Sequence, residues 1–145
     1  MLAYPDTSFL MSAYGSDHFS AAARRFLATA AAPVVLTELN RLEFENALRS
    51  LVFRRLLPAT EEASRIRSLE SDVQAGLVRF KTCAWDHVFE RARYLSARHT
   101  GHEGHRAMDI LHVASALQLR ASHFLGFDER QRSLARSEGL ALNPH

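Results

Sequence analysis

Cysteine, lysine and long apolar runs are the scarce features of this 145-residue sequence. Cys83 is its only cysteine, which excludes an intramolecular disulfide and a cysteine-rich zinc site. The longest uncharged stretch, "FLATAAAPVVLT", is too short to span a bilayer and contains Pro33. The N-terminus has no basic segment, and Asp6 interrupts its apolar start, so it does not read as a secretory signal. A reducing, cytoplasmic setting is the expectation. No tract is of low complexity, and no internal repeat is visible. Lys81 is the sole lysine, so nearly all the positive charge is arginine. Arginine suits phosphate, although a GC-rich genome yields the same bias. A formal net charge of +2 permits a nucleic-acid partner without demanding one.

The sequence does contain an alternation. Short apolar runs at 2–5, 33–36, 77–83, 123–127 and 140–144 read as strands. Between them lie helical stretches at 6–15, 16–30, 37–57, 60–76, 84–99, 106–117 and 128–139. "TGHEGH", 100–105, reads as a loop. Strands alternating with helices predict a single α/β domain, a parallel sheet covered on both faces. Ligands in such sheets bind beyond the carboxyl ends of the strands, so residues just after each strand are the ones to search.

Most of the 16 acids have plain structural uses. Glu61 and Glu62 sit in the first turn of a helix, and Glu45 is flanked by Arg41 and Arg49 at helical spacing. Four others are different. Asp6 follows the first strand and Asp128 the fourth. Each serves equally as a helix cap, and Gln131 three residues after Asp128 suggests a capping box. Glu43 has Asn46 and Ala47 on its face of the helix and no cation there. Asp109 lies near the start of "RAMDILHVASAL", a helix apolar on almost every side. A buried carboxylate needs a partner, and a helix dipole, an arginine or a metal are all available answers.

In a doubly wound sheet these four positions can converge on one edge. Close carboxylate pairs repel by roughly 4 kcal/mol at a surface-like dielectric, so a convergent group calls for a counter-charge. Oxygen-only ligands favour Mg²⁺ or Mn²⁺ over zinc. Such ions promote hydrolysis of phosphodiesters.

These residues resemble the PIN-domain ribonucleases, and among them the VapC-type toxins of bacterial toxin–antitoxin pairs. The likeness rests on "DTS" at 6–8, "ExxNAL" at 43–48, "RAMDILHVASAL" at 106–117 and "FDERQRSLA" at 127–135. It implies a three-layer α/β/α domain with a parallel five-stranded sheet, spanning residues 1–145. It also implies an acidic pocket of Asp6, Glu43, Asp109 and Asp128 that holds Mg²⁺ or Mn²⁺ and cleaves RNA. Thr7 or Ser8 would steady the first aspartate or a water at the metal, and Asn46 would support the pocket near Glu43. A homodimer is implied, restrained by a cognate VapB-like antitoxin that inserts a basic side chain into the acids. Two positions depart from the pattern. Pro5 lacks a ladder donor and places the end of the first strand at Tyr4. Gly126 stands where a hydroxyl residue is common.

Other groups carry less. His99, His102 and His105 make a zinc site conceivable, or else line a substrate groove. His112 supports Asp109 or is a satisfied core histidine, the second being favoured. The pairs Arg24 and Arg25, Arg54 and Arg55, and Arg130 and Arg132 are RNA contacts or solvated helix faces. Phe19, Phe26, Leu27, Leu51, Val52 and Leu56 form core or a groove for a partner helix. A haloacid-dehalogenase-type phosphatase fits poorly, because Ser8 stands where its second aspartate belongs. A response-regulator receiver lacks its acid pair. A PIN-like module that binds RNA or protein without cutting remains the rival.

Overall fold

The computed structural model describes residues 1–30 and 32–145. Five short strands, β1 (Ala3–Pro5), β2 (Val34–Leu36), β3 (Val78–Phe80), β4 (His123–Leu125) and β5 (Ala141–Asn143), form one parallel sheet in the order β3-β2-β1-β4-β5. The chain builds outward from β1 through β2 to β3, then crosses to β4 and β5 on the other side. The strand order therefore reverses beside β1, and a crevice opens there at the carboxyl edge.

Successive strand residues face opposite sides of the sheet, and each side carries its own core. Tyr4 and Phe124 point into one, with Val88, Leu95, Val113 and Leu134. Its helices are α5 (Trp85–Leu95), α7 (Ala107–Gln118) and α8 (Glu129–Ser137). Ala3 and Leu125 point into the other, with Phe9, Leu36, Phe44 and Leu48. It is covered by α1 (Thr7–Ala13), α2 (Ser20–Thr29), α3 (Glu38–Phe53) and α4 (Ala59–Gln74). This is the three-layer α/β/α arrangement, and both faces being covered explains why β2 is aliphatic throughout and why β1 and β4 are buried, His123 at the start of β4 being the partly exposed exception.

Three local readings need correction. Pro5 lies inside β1, opposite Leu125 of β4, rather than beyond its end. A central strand tolerates it because its missing N–H faces β2, where regular pairing stops at Ala3 and Val34. There the ladder is replaced by a side chain: Asn40 Nδ2 donates to Pro5 O at 2.7 Å. Helix α3 stops at Phe53, not Leu57. Arg54 caps it and Arg55 turns into the left-handed region at φ 58°, a stop made without glycine. Residues 96–103 are helical, a π turn (Ser96–Thr100) running into the one-turn α6 (Gly101–Glu103), and the break comes at Gly104, φ 71°.

Asn40 is fully buried, and its Oδ1 also accepts from Thr37 N and Thr37 Oγ1 at 2.7 and 2.8 Å. Thr37 and Asn40 together form a capping box at the start of α3. Asn40→Ala strands all of these groups and is expected to cost roughly 2–4 kcal/mol. Urea unfolding would register this as a lower midpoint at unchanged slope.

Candidate active site

β1 ends at the crevice, and the next residue is Asp6. Its carboxylate caps α1, with Oδ1 accepting from Phe9 N at 2.9 Å and from Ser8 Oγ at 2.7 Å. Only 2% of Asp6 is exposed. Among the described residues no donor bonds its Oδ2, which lies against the Cα of Gly126, just after β4. A Cβ on Gly126 would stand 2.4 Å from that oxygen. Burial pushes the Asp6 carboxyl up to about 6, against the pull of Ser8 and the Phe9 N–H. Ser8 Oγ also accepts from Phe127 N at 3.0 Å, tying the ends of β1 and β4 together.

Glu43 reaches the same edge from α3. Thr7 Oγ1 donates to its Oε1, and His112 Nε2 donates to its Oε2 at 3.0 Å. His112 is buried on α7, and its Nδ1 shares a hydrogen bond of 2.9 Å with Tyr4 Oη on β1. Partial burial raises the Glu43 carboxyl, but the bonds from His112 and Thr7 outweigh it and hold the group below the usual range. Glu43 therefore has a cation-capable partner, supplied by another helix 69 residues away. His112 is more than a satisfied core histidine. Its signal was its position one turn after Asp109 on the same helix.

Asp109 lies in the first turn of α7, and Arg106 Nε donates to its Oδ2 at 3.0 Å. Its carbonyl accepts from Gln131 Nε2 at 3.3 Å. Asp128 is exposed and caps α8 through Gln131 N at 2.9 Å. The capping box there is half made, because the Gln131 side chain turns to Asp109 instead of back to the cap. Arg106, Asp109, Asp128, Glu129 and Arg130 line an open cavity of about 580 Å³. Asn46 is exposed on α3 and, among the described residues, makes no hydrogen bond to Glu43; the buried amide near this edge is Asn40.

Asp6, Glu43, Asp109 and Asp128 thus lie along one edge, linked through Thr7, His112 and Gln131. The likeness that suggested them can be set against known proteins. The PIN domain profile matches residues 3–137. The chain belongs to the PIN-domain family. No curated protein matches the sequence. Among solved structures, this PIN domain is similar to VapC20 of Mycobacterium tuberculosis, a sarcin–ricin loop cleaving toxin. The TM-score is 0.69 at 19% identity, covering 98% of this chain and 99% of that one. VapBC2 from Rickettsia felis, bound to a DNA fragment from its promoter, gives 0.64 at 11% identity over 99% and 98%. FitAcB from Neisseria gonorrhoeae gives 0.63 at 14% identity over 99% and 97%. At such identities these likenesses concern the fold.

The PIN domain's donor set suits a hard cation, being carboxylate oxygens with hydroxyls behind them. Oδ2 of Asp6, which no donor bonds among the described residues, is the oxygen that such an ion would take. Among the described residues, however, no three His, Cys, Asp or Glu side chains already form a metal cage. The physical reason at this edge is that Arg106 holds Asp109 and that His112 and Thr7 hold Glu43. The histidines at 99 and 105 pair with acids: His99 is buried between Glu138 at 2.8 Å and Glu103 at 3.4 Å, and His105 bonds Glu103 at 2.7 Å. Of the apolar residues singled out in the sequence, Phe26, Leu27, Leu51 and Val52 pack on the core, whereas Phe19 and Leu56 are exposed. No helix of the described residues is long and apolar enough to cross a membrane.

Proposed function

We propose that this PIN domain is a Mg²⁺- or Mn²⁺-dependent ribonuclease of the VapC toxin type. The reading is supported by the placing of four carboxylates, from four separate segments, along the strand-reversal edge. Asp6 and Asp109 would hold the cation directly, with Glu43 and Asp128 completing its surroundings. When bound, such an ion neutralises a phosphodiester's charge and eases ionisation of an attacking water. The chain's own part is to keep Glu43 ionised and aimed, through Thr7 on one oxygen and His112 on the other, so that it can orient that water and accept its proton. Ser8 and the Phe9 N–H fix Asp6 through Oδ1, leaving Oδ2 without a hydrogen-bond donor among the described residues.

Purified protein would be incubated with RNA and Mg²⁺ or Mn²⁺. Cleavage that vanishes in Asp109→Asn, with folding intact, supports the assignment. Intact RNA under either ion, with the RNA nonetheless retained, supports the rival reading of a binding module that does not cut. The ion pair of Arg106 with Asp109 is what favours that rival. His112→Leu is expected to lower kcat by roughly 10–100-fold with little change in KM, since the residue acts through Glu43. Full activity in that variant would remove His112 from the mechanism.

The toxin assignment extends this reading. Its support is the fold shared with VapC20 and with the VapBC2 and FitAcB structures. The chain would be restrained by a VapB-like antitoxin presenting a basic side chain to the acids, and would act as a homodimer in the cytoplasm. Expression of the chain alone is expected to arrest bacterial growth, and co-expression of a cognate VapB-like antitoxin to relieve it. Normal growth with soluble, RNA-cleaving protein would refute the toxin role while leaving the nuclease.

A further inference from the structure

Arg106 is the unusual residue of the acidic edge. It precedes α7 in extended backbone, and its side chain makes no cap bond. Its side chain is 79% exposed, yet it reaches back to Asp109, whose side chain is only 17% exposed. Arg130, across the same cavity, is tied to Gly104 O at 3.0 Å. Among the described residues, Arg106 is therefore the arginine of this rim held by a carboxylate of the proposed site and by nothing else.

A carboxylate shared between a guanidinium and a divalent cation holds each less tightly, because the two positive groups repel, and Arg106, being exposed, is the weaker-held of the two. A bound cation would therefore loosen the hold of Asp109 on Arg106 and favour its release. A released guanidinium carries five N–H donors and no acceptor, and it is then hinged at the mouth of a cavity that the substrate must enter. Phosphate is the anion its fork matches best. We propose that Arg106 exchanges partners: it neutralises Asp109 in the cation-free protein and grips a backbone phosphate of the RNA once the cation is bound. This rests on the nuclease reading for its substrate, but its first half concerns the cation alone. Arg106 would thereby couple substrate capture to metal loading, since only the loaded site has a free arginine.

The exchange gives opposite signs in two binding measurements. Arg106→Ala is expected to bind Mn²⁺ about three- to tenfold more tightly than wild type in the absence of RNA, because a competing charge is gone. Free Mn²⁺ followed by electron paramagnetic resonance reads this directly. Arg106→Lys, which keeps the charge, should stay near wild type. The second arm measures binding of a short single-stranded RNA, recovered intact, with and without Ca²⁺. Wild type should gain affinity when Ca²⁺ is added. Arg106→Ala should lose most of that gain, with a salt slope shallower by about 0.7 in log–log form, the signature of one lost phosphate contact. Unchanged or weaker Mn²⁺ binding in Arg106→Ala overturns the competition. Wild-type RNA affinity and salt slope in that variant overturn the phosphate contact. If wild type with Mn²⁺ leaves RNA uncut while Arg106→Ala still binds Mn²⁺ more tightly, the nuclease reading fails and the competition at Asp109 stands.

Discussion

Asp6→Asn is expected to yield a protein that no longer cleaves RNA and is more stable than wild type in chelator. The two effects have one origin. Asp6 is buried, and its folded pKa is raised to about 6 from an ordinary value near 4. The folded state therefore binds its proton more tightly than the unfolded chain. For a carboxyl shifted in this direction, cation-free stability falls as pH rises from about 4 through about 6, and the whole penalty applies above that. A two-unit shift corresponds to roughly 1–3 kcal/mol. The amide carries no charge to desolvate, and its Oδ1 can still accept from Ser8 and the Phe9 N–H. Asp6→Asn should accordingly melt higher than wild type at pH 8 in EDTA, with the difference closing below pH 4. Cleavage should drop by about a thousandfold or more, the usual loss when a main electrostatic ligand is removed. An Asn variant that is less stable at pH 8 in EDTA would mean that Asp6 is not strained by its burial.

Gly126→Ala should disable the site from a residue that carries no functional group. The added Cβ would stand 2.4 Å from Asp6 Oδ2, 2.8 Å from Cγ and 3.0 Å from Oδ1. The carboxylate cannot simply swing away, because Oδ1 is pinned by Ser8 and Phe9. Either the cap of α1 breaks or the end of β4 moves, at a cost of about 1–3 kcal/mol. Both outcomes displace the proposed ligand, so Mn²⁺ affinity and cleavage should each fall by at least roughly tenfold. A double-mutant cycle isolates the cause. In an Asp6→Ala background Gly126→Ala should cost far less stability, because the atoms it collides with are gone. Equal costs in both backgrounds would place the strain elsewhere. The same geometry explains why a hydroxyl residue is absent at this position: Asp6 occupies the space that its side chain would need.

The fold was legible because its signals are local. Apolar runs bounded by caps marked all five strands, and the alternation with helices is enough to call for a covered parallel sheet. What was misread depended on partners distant in sequence. Pro5 suggested a strand end, and only the arrival of Asn40 from α3 lets it sit inside β1. The stop of α3 at Phe53 leaves no glycine to mark it, since Arg55 takes the left-handed conformation itself. Residues 100–105 looked like a loop because of their Gly and His content, but Gly101 continues the helix and Gly104 breaks it.

The acids were legible for a related reason. Asp6 and Asp128 follow strands directly, so their place at the carboxyl edge comes from the α/β pattern. Glu43 stood out by lacking a cation on its own helix, a test blind to His112 on another. Arg106 stands three residues before Asp109 in the stretch read as helical, where an arginine, a helix dipole and a metal were all open as partners and the spacing alone did not choose among them.

Cation binding by the acidic edge is the central claim, and a melting curve with saturating Mn²⁺ tests it most directly. At a hundredfold excess over Kd the ion should add about 2.7 kcal/mol to wild type, a rise in Tm of roughly 5–10 °C for a chain of this size. Asp6→Asn and Asp109→Asn should show little of it. A wild-type Tm indifferent to both Mn²⁺ and Mg²⁺, or a rise that both variants share in full, would contradict the account.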